Sequence, residues 1–204
     1  MEQRGVTPPF MPPTEWYVQW WRARLDGKDD PESIAEANGM MERVDKKYTR
    51  NFSRCKICMA DGREQMLSVP LDGGAKALRG GKDVGENTIS DHGNWRHVHL
   101  GAINAAYGKT PFFPHLLPEI EEAYRHSYGK LEEFNIAIHR ALSSFIINGS
   151  EPDALRRVSE GNISRAVSIG LEMAEKTEKD RSILDLIMKF GPETLLYLYY
   201  AITA

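Results

Sequence analysis

Apolar positions recur at helical spacing through much of the chain. Trp95, Val98, His99, Ala102, Ile103, Ala106 and Tyr107 share one stripe after Asn94, a favourable helix N-cap, and Gly108 closes it. A helix is expected over 95–107. The stripe Leu131, Phe134, Ile138, Leu142, Phe145 and Ile146 predicts another over 131–147, ended by Asn148-Gly149, and a further helix is expected over 118–128. Near the N-terminus, Trp16, Tyr17, Trp20 and Trp21 lie at spacings of 1, 3 and 4, which predicts a helix over 15–25 with a heavy aromatic face.

Other runs follow the period of a strand. Arg54–Met59 and Gln65–Leu71 read as two short strands joined by Asp61-Gly62, a frequent hairpin dipeptide. Val167, Ile169, Leu171 and Met173 alternate with polar or small residues, although helical spacing from Ile163 to Ala174 competes there. Ser182 starts a helix with the stripe Ile183, Leu186, Ile187 and Phe190, and Gly191-Pro192 ends it. Thr194–Ile202 is a strand by composition. The last third thus reads as strand–helix–strand, a unit that normally has parallel strands and a right-handed crossover. Residues 7–14 hold four of the eleven prolines and form an extended turn, while five glycines in 72–87 mark a long loop. The expected fold is α/β: a mixed sheet with packed helices, an N-terminal proline turn and an aromatic helix, in one domain over 1–204.

Composition narrows the function classes. Hydrophobic residues make up 41% of the chain and charged residues 27%, a globular balance that excludes general disorder. The net charge of −3 excludes a dedicated nucleic-acid coat or a polybasic membrane binder, so no nucleic-acid partner is expected. Apolar runs such as Phe145–Ile147 and Leu195–Ala201 fall well short of the ~20 residues a membrane span needs. The proline-rich start lacks the apolar core of a signal peptide. The two cysteines, Cys55 and Cys58, suit a reducing compartment, so the expected location is the cytoplasm.

Three places carry candidate chemistry. Cys55 and Cys58 form a C-x-x-C, but no second ligand pair follows, and a strand would point them to opposite faces. One buried and one half-exposed thiol is the expected outcome, and no metal site is expected. The run Lys46–Arg54 places four cations in nine residues, which suits either phosphate binding or a charged strand edge. The segment Asp91–His99 holds three of the six histidines. His99 shares the apolar stripe with Trp95 and Ile103 and is expected to face inward, as a tunable base or as a core histidine bonded to a carbonyl. Asn135 and His139, one helical turn apart, either face a shared pocket or bond each other at its boundary.

Several elements together resemble the WbqC-like protein family, found with bacterial surface-polysaccharide gene clusters. They are Pro8-Pro9-Phe10-Met11-Pro12 followed by Trp16-Tyr17, the basic Lys47 and Arg50-Asn51, and Leu67-Ser68-Val69-Pro70-Leu71. Trp95-x-x-x-His99-Leu100-x-x-Ile103-x-x-x-Tyr107, then Pro111-Phe112-Phe113, and Leu131-x-x-Phe134-Asn135-Ile136 complete the set. The chain departs from the pattern in having Thr7 before the prolines, and the resemblance implies a short member of the family. It further implies a cytoplasmic transferase of O-antigen-type glycan assembly, moving an acyl or aminoacyl group to a sugar. Its small-molecule partner would be an activated sugar or acyl donor; no cofactor is specified.

The candidate set combines both readings. His99 and Asp91 are the catalytic candidates, with His99 as base. Lys47, Arg50 and Arg54 would hold an anionic donor, and Asn51, Trp95, Tyr107 and Asn135 would shape the substrate site. The alternative is a non-catalytic binding or scaffold protein of a polysaccharide locus. The aromatic helix Trp16–Trp21 would then serve as a homo-oligomer interface.

Overall fold

Phe10 and Met11, in the proline turn, have no solvent exposure, because later elements of the chain close over them. The computed structural model describes residues 7–25, 33–38, 51–74, 77, 86–148 and 181–194. The named helices are α1 (Thr14–Leu25), α2 (Trp95–Tyr107), α3 (Phe113–Arg125), α4 (Leu131–Asn148) and α5 (Leu184–Phe190). Two strands, β1 (Arg54–Cys58) and β2 (Glu64–Ser68), pair antiparallel with Arg54 opposite Ser68 and Cys58 opposite Glu64. The class is α/β, and the buried apolar side chains form one cluster that draws on every one of these elements.

The hairpin follows from its turn and its alternation. Gly62 takes φ +83°, which an L-residue rarely adopts, and donates its N–H to the Met59 carbonyl at 2.9 Å. Along β1, Cys55 and Ile57 are buried while Arg54 is exposed, so one face of the strand meets the core. Cys55 is buried and Cys58 half-buried, as the strand period requires.

The segment before α5 ties the two ends of the described chain together. The Ser182 N–H donates to the Lys56 carbonyl and the Ile183 N–H to the Pro12 carbonyl, both at 2.9 Å. The Thr14 N–H donates to the Arg181 carbonyl, also at 2.9 Å. Residues 181–183 are therefore wedged between the proline turn and β1, bridging β1 in the parallel sense and the turn in the antiparallel sense. The Ser182 hydroxyl accepts the Leu184 N–H at 3.2 Å, one residue ahead of Ile183, which holds the N-cap position of α5 without a side-chain cap. Gly191 ends it at φ +55°, and a Cβ there would lie 2.4 Å from the Phe112 ring.

Some boundaries differ from expectation. α3 begins at Phe113, not at Pro118. Pro114 sits in its first turn, where no N–H partner is lost, and Pro118 lies within the helix on its exposed side. Burial of Phe113, Leu116, Ile120 and Tyr124 outweighs the bond that Pro118 removes. Asn94 precedes α2 but makes no side-chain cap. Thr194, read as a strand start, lies in a helical turn. The expected strand over 167–173 and the rest of the final strand lie outside the described residues, as does most of the glycine-rich loop. Among the described residues no helix is long and apolar enough to cross a membrane.

Candidate functional site

His99 and Asn135 meet at the proline turn, on either side of it. His99 projects from α2 into the core with 3% exposure. The Phe10 ring stacks on it at 5.7 Å, and Trp95 meets it edge-on at 5.2 Å. Its Nδ1 bonds the Tyr124 hydroxyl at 3.0 Å. Its Nε2 lies 3.2 Å from both the N–H and the carbonyl oxygen of Ser68 on β2. Either neutral tautomer therefore satisfies both ring nitrogens. Burial lowers its pKa to about 4, offset in part by the Ser68 backbone bond, so the imidazole is neutral at physiological pH.

Asn135 occupies the other side of the turn with no exposure. Its Nδ2 donates to the Pro8 carbonyl at 2.9 Å and to the Phe52 carbonyl at 2.8 Å. The Phe10 N–H donates to the Asn51 carbonyl at 3.0 Å. One amide from α4 thus joins the N-terminal turn to the segment leading into β1. One helical turn on, His139 is buried beside α1, with Nδ1 3.3 Å from the Tyr17 hydroxyl and the Trp20 ring edge-on at 4.8 Å. Trp16, Tyr17 and Trp20 are each at most 1% exposed, so the aromatic face of α1 packs within this chain.

Tyr107 ends α2 with its hydroxyl donating a very short hydrogen bond to Asp185 Oδ1 on α5. The Cys58 N–H donates to the same oxygen at 3.1 Å, while the buried Oδ2 has no partner. Desolvation raises the Asp185 pKa against the opposing pull of these two bonds. Burial and the nearby Asp185 carboxylate push the Tyr107 hydroxyl and the Cys55 thiol well up, so neither ionises readily. Sequence reasoning missed Asp185. The only signal for it was an acid among Leu184, Leu186, Ile187 and Met188, with buried neighbours on every side.

The remaining candidates lie apart from this cluster. Asp91 is exposed and pairs with Arg96 at 3.3 Å rather than with His99. Arg96 in turn lies over the Trp95 ring, 4.4 Å from its centroid. Trp95 and Tyr107 are buried, Asn51 is half-buried and Arg54 is exposed. Lys47 and Arg50 lie outside the described residues. His99, Trp95, Tyr107 and Asn135 are therefore brought into one core but not onto an open surface. Among the described residues, no three His, Cys, Asp or Glu side chains gather as a metal would require.

An open cleft of about 780 Å³ lies elsewhere, along the seam of α3 and α4. Its floor is Ala123, Ile136, Ala137 and Ala141. Glu119, Glu122 and His126 line one wall, Glu133, Arg140 and Ser144 the other, and Tyr128 stands at the connection between the helices. The local sequence explains this. Glu119 and Glu122 lie three apart on α3 and His126 follows its end, while Glu133, Ala137, Arg140 and Ser144 recur at spacings of four, three and four on α4 and form one stripe. These polar positions flank the buried stripes, which is how they could have been found. The His126 and Tyr128 rings meet edge-on at 4.7 Å. Burial, then the charges of Glu122 and Glu133, raise the Tyr128 pKa.

A family model described as the WbqC-like protein family matches residues 34–153. No curated protein matches the chain, and no solved structure does.

Proposed function

Because the chain belongs to the WbqC-like protein family, we propose that it is a cytoplasmic transferase of bacterial surface-polysaccharide assembly. It moves an acyl or aminoacyl group from an activated donor to a sugar, and the cleft between α3 and α4 receives the sugar. The observation that carries this reading is the cleft itself. Its volume of about 780 Å³ lies in the range of small-molecule sites. Its carboxylates and Ser144 offer hydrogen-bond partners to hydroxyl groups, and its apolar floor suits the C–H face of a sugar ring.

The chemistry needs one base. The acceptor's hydroxyl or amine attacks the donor's acyl carbon, the new bond replaces the bond to the leaving group, and the proton passes through the base to that leaving group. His126 lines the open cleft, and an imidazole nitrogen can accept and pass on a proton, as that task requires. His99, the base expected from sequence, would need to release Ser68 or Tyr124 and admit a substrate to the core before it could act. We assign it the task of fixing α2 against β2. Arg54, with Lys47 and Arg50, remains the proposed holder of an anionic donor.

The test is a thermal-shift screen with nucleotide sugars, acyl-CoA and aminoacyl donors, followed by mass spectrometry of each hit pair. A transferase yields a sugar heavier by one acyl group, and His126→Ala loses product while retaining sugar binding. A protein that binds a hit pair and forms no product is a binding protein, and the transferase reading fails.

A further inference from the structure

Two side chains in the first turn of α2 hold buried N–H groups that nothing accepts. Trp95 is 8% exposed, and its indole Nε1–H is buried without a partner. Arg96 Nη2 is likewise buried without a partner. The guanidinium carbon stands 4.4 Å from the centroid of the Trp95 ring, so the two unmatched donors are neighbours. Helical side chains lean toward the helix N-terminus, which brings both to the start of α2. That end has donors of its own. The first intrahelical bond runs from the Val98 N–H to the Asn94 carbonyl at 3.0 Å, so the N–H groups of Trp95, Arg96 and His97 have no acceptor within the helix. Asn94 makes no side-chain cap, and the first turn carries no acid. A helix N-terminus bears partial positive charge, so the cation of Arg96 is unfavourable there unless an anion offsets it.

We propose that the start of α2 binds an oxyanion, a phosphate or carboxylate group of a small-molecule ligand, through Arg96 and the indole N–H of Trp95. The one acceptor that meets the guanidinium marks the way in. Arg96 Nη1 bonds Asp91 Oδ1 at 3.3 Å, a single long contact to a carboxylate that is 78% exposed. An incoming oxyanion displaces that side chain and offers two or more oxygens where Asp91 offers one. Phosphate and carboxylate both match the guanidinium fork, and a further oxygen reaches the indole N–H. The buried donors then gain the acceptor they lack, and the helix N-terminus gains its counter-charge. A neutral hydroxyl group meets one donor and gains little from the charge. Neither Trp95 nor Arg96 lines the α3–α4 cleft, so this site stands or falls independently of the sugar site.

The experiment follows the indole N–H signals of the isotope-labelled full chain by NMR while inorganic phosphate or acetate is added. The chain has four tryptophans, and the Trp95 signal is the one that Trp95→Phe removes. A saturating shift of that signal is expected in wild type. Arg96→Gln is expected to weaken binding about tenfold or more, through loss of charged hydrogen bonds. Asp91→Asn is expected to tighten binding about threefold, because the rival carboxylate loses its charge. The other three indole signals, unmoved in each variant, show that the fold is kept. A response to phosphate alone identifies the ligand group as phosphoryl, and an equal response to acetate with the same variant pattern identifies it as carboxylate. No shift of the Trp95 signal with either anion overturns the site. So does a shift undiminished in Arg96→Gln, or binding that Asp91→Asn weakens.

Discussion

Tyr107 donates its hydroxyl to the buried carboxylate of Asp185, joining the end of α2 to α5 across 78 positions of sequence. The carboxylate also accepts the Cys58 N–H, but its second oxygen is buried with no partner. Two opposite effects follow. Tyr107→Phe leaves the carboxylate with one bond fewer and is expected to cost about 1–3 kcal/mol. Asp185→Asn keeps an acceptor for both donors and removes a desolvated charge. The folded carboxyl holds its proton to higher pH than the unfolded one, so its ionisation costs stability as pH rises through the folded pKa. Asp185→Asn is therefore expected to raise Tm at pH 8 and not at pH 4. A lower Tm at pH 8 would contradict this.

His99 makes the opposite pH signature. Its folded pKa of about 4 lies below the unfolded value of 6.5, so the unfolded chain takes up the proton first as pH falls. The stability it confers is complete above pH 6.5 and is lost between 6.5 and 4. The loss is expected to be about 2–3 kcal/mol over that window. Denaturant unfolding at a series of pH values should show this slope, and His99→Gln should flatten it. An unchanged slope in the variant would place the acid sensitivity elsewhere.

Asn135 holds two carbonyls with one amide. Asn135→Ala strands the buried Pro8 and Phe52 oxygens and is expected to cost about 2–4 kcal/mol. Asn135→Asp discriminates the cause, since an ionised carboxylate cannot donate and faces both carbonyls with a like charge. It should be at least as destabilising as the alanine variant despite its similar size. Equal stability of Asn135→Asp and wild type would show that the two bonds contribute nothing.

Much of the fold was legible because its signals are local. The stripe from Trp95 to Tyr107 and the one from Leu131 to Ile146 gave two helices nearly to their ends, and Asp61-Gly62 placed the hairpin turn. The start of α3 was not legible, because proline chemistry argues against a helix from Phe113 and only the burial of its apolar stripe reverses that. Asp185 was hidden for a similar reason: an acid within an apolar stripe reveals its partner, Tyr107, only in three dimensions. His99 and Asn135 stood out by motif and are buried against the proline turn. The cleft residues carried no motif, only polar spacing on two helices that the chain happens to lay side by side.

The seam of α3 and α4 is the proposed place of the substrate. The most direct measurement is a thermal shift with the best sugar ligand, made in parallel on wild type and on Ala141→Trp. Ligand at about one hundred times its Kd stabilises a binding-competent protein by about 2.7 kcal/mol. A substrate in the seam gives that shift in wild type and none in Ala141→Trp, whose unliganded Tm stays close to that of wild type because the half-buried Ala141 borders open space. An equal shift in both proteins would contradict it and move the site out of the cleft.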